Sequence, residues 1–300
     1  MNYISNLEKL LIKGNFVKTA EIGPPKGSDP EIIQRKAELL RNYIDAFNVT
    51  DNQTAVVRLS SFGGSVLIKN MGLEPIMQLT CRDRNRIALQ SDILGAVSCG
   101  IRNFLVISGD HQSFGNHPDA KGVYDIDSIQ FIDILKNMRE KGIFQSGDLI
   151  KTKKPKIFIG AAANPFADPF EYRVDRLEKK INAGVDFIQT QSVYNLDRFY
   201  SYIDEIRSRG LDKKVKILAG ITPLKSLKMA ERMKFHVPGV DIPDNYFLRM
   251  KNAKNPKDEG FNIAVELLSE IKKINGINGI HITALFWEDI IPDLLNEVKL

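Results

Sequence analysis

Eight short apolar or β-branched runs, each bounded by turn residues and most followed by a helical pattern, leave this chain few ways to fold. The runs are "FVKTAEI" (16–22), "IDAFNVT" (44–50), "EPIMQLT" (74–80), "NFLVIS" (103–108), "KIFIGAA" (156–162), "DFIQTQS" (186–192), "VKILAGI" (215–221) and "GIHITAL" (279–285). The first four start at 16, 44, 74 and 103, a recurrence of about 28 to 30 residues, with longer gaps before the fifth and eighth. Between them lie "DPEIIQRKAELLRNY", "DRNRIALQSDILGAVSCG", "DSIQFIDILKNMREKG", "DPFEYRVDRLEKKINAG", "NLDRFYSYIDEIRSRG" and "LKSLKMAERMKF", most opening on Asp, Asn or Ser and several closing on Gly, as helix caps do. Strand alternating with helix argues for parallel βαβ units, and eight such units close into a (β/α)8 TIM barrel whose interior side chains can just fill. An open doubly wound sheet is the competing architecture. When it binds dinucleotides it carries GxGxxG after its first strand, and neither that string nor a P-loop occurs here.

Residues 1–300 are therefore expected to form one barrel domain, with "SNLEKLLIKG" as a short N-terminal helix plugging its bottom. The stretch 236–261, before the helix "NIAVELLSEIKKING", reads as an elaborated connection between the seventh and eighth strands, too short for a core of its own. A 43% hydrophobic and 26% charged composition supplies ample material for such a core. The net charge of +5 comes from Lys and Arg scattered among acids, without the basic stripe and interleaved aromatics of a nucleic-acid surface. "IKTKKPKIF" reads as a solvated lead-in to the fifth strand. No apolar run reaches the roughly 18 residues of a membrane span, and the N-terminus lacks a signal-peptide layout, so a cytoplasmic protein with no membrane role is expected. Cys81 and Cys99 have neither CxxC nor metal-type spacing, and His111, His117, His236 and His281 are dispersed, so no metal site is expected.

Barrels of this kind concentrate chemistry at the C-terminal ends of their strands. In "TAEIGPPKG" the prolines cannot continue a ladder, which leaves Glu21 at a strand's mouth. Thr50 with Asp51 and Asn52, Thr80 with Cys81, Gly109 with Asp110, Asn164 with Pro165, Gln191, and Thr222 with Pro223 close six other strands. Taken singly, each is also a good turn or alternation residue. Together, hydrogen-bonding groups on seven of the eight strand ends describe a polar-rimmed pocket for a sizeable ligand.

The ordered series "AEIGPPKG", "NVTDN", "QLTCRDRNR", "GIRNFLVISGD", "AANPFADP", "RLEKKINAGVDFIQTQ", "GITPLKS" and "VPGVDIP" resembles the methylenetetrahydrofolate reductase family over nearly the whole chain. The resemblance implies a flavin-dependent enzyme that reduces 5,10-methylenetetrahydrofolate to 5-methyltetrahydrofolate, using FAD (FMN being the other candidate) and NAD(P)H as electron donor. It implies that Glu21 is the general acid that protonates N10 of the folate, opening the methylene bridge to an iminium. A carboxyl enclosed by barrel walls resists ionisation, so its pKa should rise above the usual value of about 4.3. Asp110 matches the family's aspartate beside flavin and pterin, and Gln191 the glutamine that contacts pterin and nicotinamide in turn. Thr50, Gln78, Thr80, Ser108, Gly109, Tyr124, Asn164 and Lys180 stand where the family lines its flavin, with Lys180 suited to a phosphate and Tyr124 to the ribityl or adenine side.

The chain departs from the family pattern at several positions. Ile22 and Gly23 replace aromatics that often follow the acid, and Gln78 stands where many members have histidine. Leu227, a candidate substrate contact, occupies the position of a stacking phenylalanine, and Phe286 with Trp287 the positions of the Asn and Arg that meet the folate tail. "EIGPPKG" and "CRDRNR" resemble a short branch of anaerobic one-carbon metabolism that works beside a small iron-sulfur and zinc subunit, so a partner of that kind, as well as a homo-oligomer, enters the expectations. A flavin-free pterin- or folate-binding barrel, either a methyl transferase or a carrier subunit, is the second functional reading. A Schiff-base aldolase is the third and weakest, since no lysine closes any strand.

Overall fold

A computed structural model describes residues 3–300. Its eight strands are β1 (Val17–Ile22), β2 (Ala46–Val49), β3 (Pro75–Thr80), β4 (Asn103–Ile107), β5 (Phe158–Ala163), β6 (Phe187–Ser192), β7 (Lys216–Ile221) and β8 (Gly279–Ile282), joined in sequence order into a closed parallel barrel. Closure is made by β1 against β8, where Thr19 stands opposite His281. Around it run α1 (Asn6–Ile12), α2 (Glu31–Leu40), α3 (Ser61–Asn70), α4 (Arg86–Ser98), α5 (Ser128–Glu140), α6 (Arg173–Ala183), α7 (Leu196–Ser208), α8 (Leu227–His236), α9 (Asp244–Asn252), α10 (Pro256–Ile271) and α11 (Ile290–Glu297). Ser60, Asn85, Asp127, Asn195 and Ser226 cap α3, α4, α5, α7 and α8 with side-chain oxygens, satisfying amides that the first helical turn leaves orphaned. No helix among the described residues is long and apolar enough to cross a membrane.

Strand alternation sorts the side chains into two sets. Outward residues such as Ala20, Ile22, Phe47, Val49 and Ile188 join the helices in one large core. The inward set grades from apolar to polar. At the floor Val17, Ala46, Ile76, Leu105, Phe158, Phe187 and Leu218 pack with Leu7 and Leu11 of α1, the expected plug. Phe158 and Phe187 stack with ring centroids 5.2 Å apart, and Gly160 makes room for them, since a Cβ there would lie 2.2 Å from the Phe187 ring. One layer up, Asn48 and Gln189 exchange side-chain hydrogen bonds of 2.6 and 3.0 Å, and Gln189 also donates to Thr19 Oγ1 at 3.2 Å. Thr19 Oγ1 lies 3.0 Å from His281 Nδ1. The Asn48 and Gln189 amides thus satisfy each other, which is what keeps such polar groups tolerable inside a barrel.

Three helices depart from the sequence expectation. The segment that forms α3 carries a glycine pair, yet Gly64 is a packing requirement: a Cβ there would meet Val49 Cγ1 at 2.7 Å. The connection between β7 and β8 contains α9 as well as α10, and α11 follows β8. β8 itself ends at Ile282, short of residue 285, and the chain turns through Phe286, which has φ of 56° and is largely exposed. Gly260, inside α10, touches the carbonyl of Leu224, where a Cβ would come within 1.8 Å of the oxygen. Gly260→Ala is therefore expected to lower stability by roughly 1 to 3 kcal/mol despite alanine's better helix propensity, read as a lower denaturant midpoint. An unchanged midpoint would show that the helix shifts at no cost.

Candidate active site

At the C-terminal mouth of the strands lies a cleft of about 580 Å³. Glu21, Thr50, Gln78, Thr80, Ser108, Gly109, Asp110, Asn164, Lys180 and Gln191 all line it, so ten of the residues singled out from the sequence converge on one space. Two do not. Leu227 sits in the first turn of α8, packed against the outer core, because Ser226 caps that helix and the chain has already turned away from the mouth. Tyr124 is held on the rim by its backbone amide, which donates to the Cys81 carbonyl, and its hydroxyl lies 3.5 Å from the Asp110 carbonyl oxygen. It is exposed and takes a positive φ of 39°.

Glu21 is the penultimate residue of β1, and its half-buried side chain lines the mouth. Burial pushes its carboxyl up to about 7, against the opposing pull of a hydrogen bond from Gln53 and the charge of Arg58. Glu288 adds to the rise, and Lys36 opposes it, but these two pair with each other at 2.5 Å. A carboxyl held there keeps a substantial protonated fraction near neutrality and can act as an acid.

The other strand ends divide their work. Thr80 donates its hydroxyl to Asp51 Oδ2 at 3.0 Å, and its backbone amide donates to the same oxygen at 2.9 Å. Arg84 pairs with Asp51 at 2.7 Å. The Thr80 hydroxyl proton is thus committed within the protein. Thr50, another residue of the cleft wall, is the opposite case: its hydroxyl is buried and has no hydrogen-bond partner among the described residues. Leaving such a group unpaired costs about 1 to 3 kcal/mol. Gly109 has φ of 89° and presses so closely on Thr80 that a Cβ would lie 3.0 Å from Thr80 Cβ, leaving bare backbone beside the cleft. Asn164 Oδ1 accepts from the amides of Phe166 and Ala167, which holds the loop after β5 folded back. Gln191 lies at a register shift between β6 and β7, the kind of bulge that re-aims a side chain at a barrel rim.

Arg173 and Arg176, which close no strand, also line the cleft with Lys180. Their spacing of three and then four residues puts all three cations on one face of α6, and that period was visible in "RVDRLEKK". Lys180 is buried and donates to the Ala162 carbonyl; burial, with Arg176 nearby, lowers its pKa to about 8, so it stays mostly charged at neutrality. His281 also reaches the cleft floor, where burial lowers its pKa to about 4 and keeps it neutral.

Against known proteins, the sequence model of the methylenetetrahydrofolate reductase family matches residues 6–299. The chain belongs to the methylenetetrahydrofolate reductase family. Within this family it is 26% identical to Schizosaccharomyces pombe methylenetetrahydrofolate reductase 2 over 299 residues, covering 92% of this chain but only 44% of that one. It is 23% identical to the 5,10-methylenetetrahydrofolate reductase of Salmonella typhimurium, covering 91% of this chain and 88% of the relative. The chain thus spans less than half the length of the fission-yeast reductase and most of the bacterial one. In fold it matches an uncharacterized Clostridium thermocellum protein described as binding two copies of 5-methyl-5,6,7,8-tetrahydrofolic acid, with a TM-score of 0.63, 15% identity and coverage of 98% and 97% of the two chains.

Proposed function

We propose that the protein reduces 5,10-methylenetetrahydrofolate to 5-methyltetrahydrofolate with a bound flavin, FAD or FMN, that receives its electrons from NAD(P)H or from a partner subunit. The observation that carries this reading is that Glu21, a carboxyl poised at about 7, opens into the same cleft as a row of cations, Arg173, Arg176 and Lys180, with Thr50, whose buried hydroxyl is unpartnered, in the cleft wall.

The residues fit a flavin dinucleotide or mononucleotide by their chemistry. Thr50 offers a buried hydroxyl in want of a partner, Gly109 a close backbone approach, and Arg173, Arg176 and Lys180 a cationic face for phosphate. When bound, the flavin supplies the hydride chemistry that no side chain here can supply. The protein's own tasks are to hold the pterin and to deliver a proton. In the roles the family resemblance implies, Asp110 and Gln191 orient the pterin from the β4 and β6 ends, and Glu21 gives its proton to N10 as the methylene bridge opens. The described folate binding of the Clostridium thermocellum protein and the names of the relatives support the substrate class.

Titrating the purified protein with FAD and with FMN tests the reading. A retained visible flavin spectrum that bleaches with reductant and returns on adding 5,10-methylenetetrahydrofolate is expected. Protein that retains neither flavin yet binds 5-methyltetrahydrofolate would make it a flavin-free folate-binding barrel instead. Lys180→Ala is expected to weaken flavin binding about 10- to 150-fold, the worth of one hydrogen bond to a charged group. Equal affinity for wild type and variant would remove Lys180 from the cofactor site.

A further inference from the structure

Residues 52–55, between β2 and α3, form a turn whose backbone is unusual for its sequence. Asn52, Thr54 and Ala55 have φ of 44°, 59° and 55°, a left-handed region that side chains other than glycine rarely adopt. The turn is held there from several sides. Arg82 donates to the Asn52 carbonyl at 3.2 Å, Asn52 donates to Asp83 at 3.3 Å, and Asn52 Oδ1 accepts from the Arg58 amide at 3.1 Å. Ala55 is packed against Gly115, where a Cβ would lie 1.7 Å from the Ala55 carbonyl oxygen. Such a turn persists only because its surroundings over-determine it, and its product is the placement of two neighbouring groups. Gln53 donates from Nε2 to Glu21 Oε1 at 2.9 Å, and the Thr54 amide donates to Asp110 Oδ2 at 3.2 Å. One short turn therefore reaches two of the cleft's carboxylates, Glu21 and Asp110.

We propose that Gln53 is a positioning residue for the acid: its amide engages Glu21 Oε1 as an acceptor in both protonation states, so that the transferable proton resides on Oε2. This rests on the reading of Glu21 as the proton donor and adds to it which oxygen carries the proton. Oε1 can accept from Gln53 whether or not the group is protonated, but a proton on Oε1 would compete with that bond. An acid whose proton sits on one fixed oxygen transfers it along one direction, which is what a general acid must do. The charged groups facing Glu21 from other elements are Arg58, from the same loop, Lys36 on α2 and Glu288 after β8. Gln53 is the neutral donor that engages the carboxyl directly.

The test compares Gln53→Leu, which keeps bulk and removes the donor, with wild type and Glu21→Gln in the flavin-loaded enzyme. Infrared titration follows the protonated-carboxyl stretch that disappears in Glu21→Gln. Losing a donor that favours the ionised form should move its midpoint to higher pH by about one unit. The folate half-reaction should slow about 10-fold on its low-pH plateau, while flavin reduction by the donor stays unchanged. If the infrared midpoint and the plateau rate both match wild type, Gln53 does not position the acid, and the inference falls while the role of Glu21 stands. If Glu21→Gln itself retains the folate half-reaction, it is the role of Glu21 that fails.

Discussion

Glu21→Gln is expected to lose folate reduction by a factor of about 10² to 10⁴ while its flavin is still reduced by the electron donor at the wild-type rate. Glutamine keeps the size and the acceptor oxygen that Gln53 engages, but has no proton to give. The same substitution should raise stability in alkaline solution. Glu21 titrates at about 7 in the folded chain against 4.5 when free, so between those values the folded state holds more protons than the unfolded state. Wild-type stability contributed by this group is therefore full below pH 4.5 and is lost as pH rises through 7. Denaturation midpoints of variant and wild type should coincide in acid and separate progressively toward pH 8, with the variant higher. A variant that keeps both half-reactions, or that is no more stable than wild type at pH 8, would mean that Glu21 is not an acid of raised pKa that serves the folate half-reaction.

Leu11→Ala carries the second large effect. Leu11 is fully buried with Leu7 against Phe158 and Phe187 at the barrel floor, so the truncation removes packed atoms and leaves a cavity. A loss of about 2 to 5 kcal/mol in unfolding free energy is expected, measured by denaturant titration. The kinetic constants should change little, because the floor lies at the opposite end of the strands from the cleft. A loss below about 1 kcal/mol would show that α1 is not part of the folded core.

That helix illustrates what the sequence discloses well. "SNLEKLLIKG" places two leucines four apart, and the barrel strands announce themselves as β-branched runs between caps, so plug, strand order and strand ends are all local signals. Helix α3 is hidden by a signal of the same kind pointing the wrong way. Its glycines look like a loop, and only the approach of Val49 explains Gly64. Helix α9 is hidden because "IPDNYFLRMKN" lies between two turn-rich stretches that dominate a reading by composition.

The site divides along the same line. Residues that close strands were legible because the barrel, once recognised, brings strand ends together whatever their identity. Leu227 follows the β7 end by several residues, and there the cap at Ser226, not the strand, decides where the side chain goes. Thr50 and Thr80 look alike in sequence, yet Asp51 takes the hydroxyl of one and leaves the other free. Gln53 has no sequence signal at all. Its importance comes from a strained turn fixed by Arg82, Asp83 and Gly115, residues distant in the chain.

The pH dependence of the folate half-reaction, followed as reoxidation of pre-reduced flavin in a single turnover, tests the account most directly. A rate that falls as pH rises, with a midpoint near 7 and no such limb in Glu21→Gln, is the expected result. A flat profile, or the same falling limb in both proteins, would contradict the assignment of Glu21 as the proton donor.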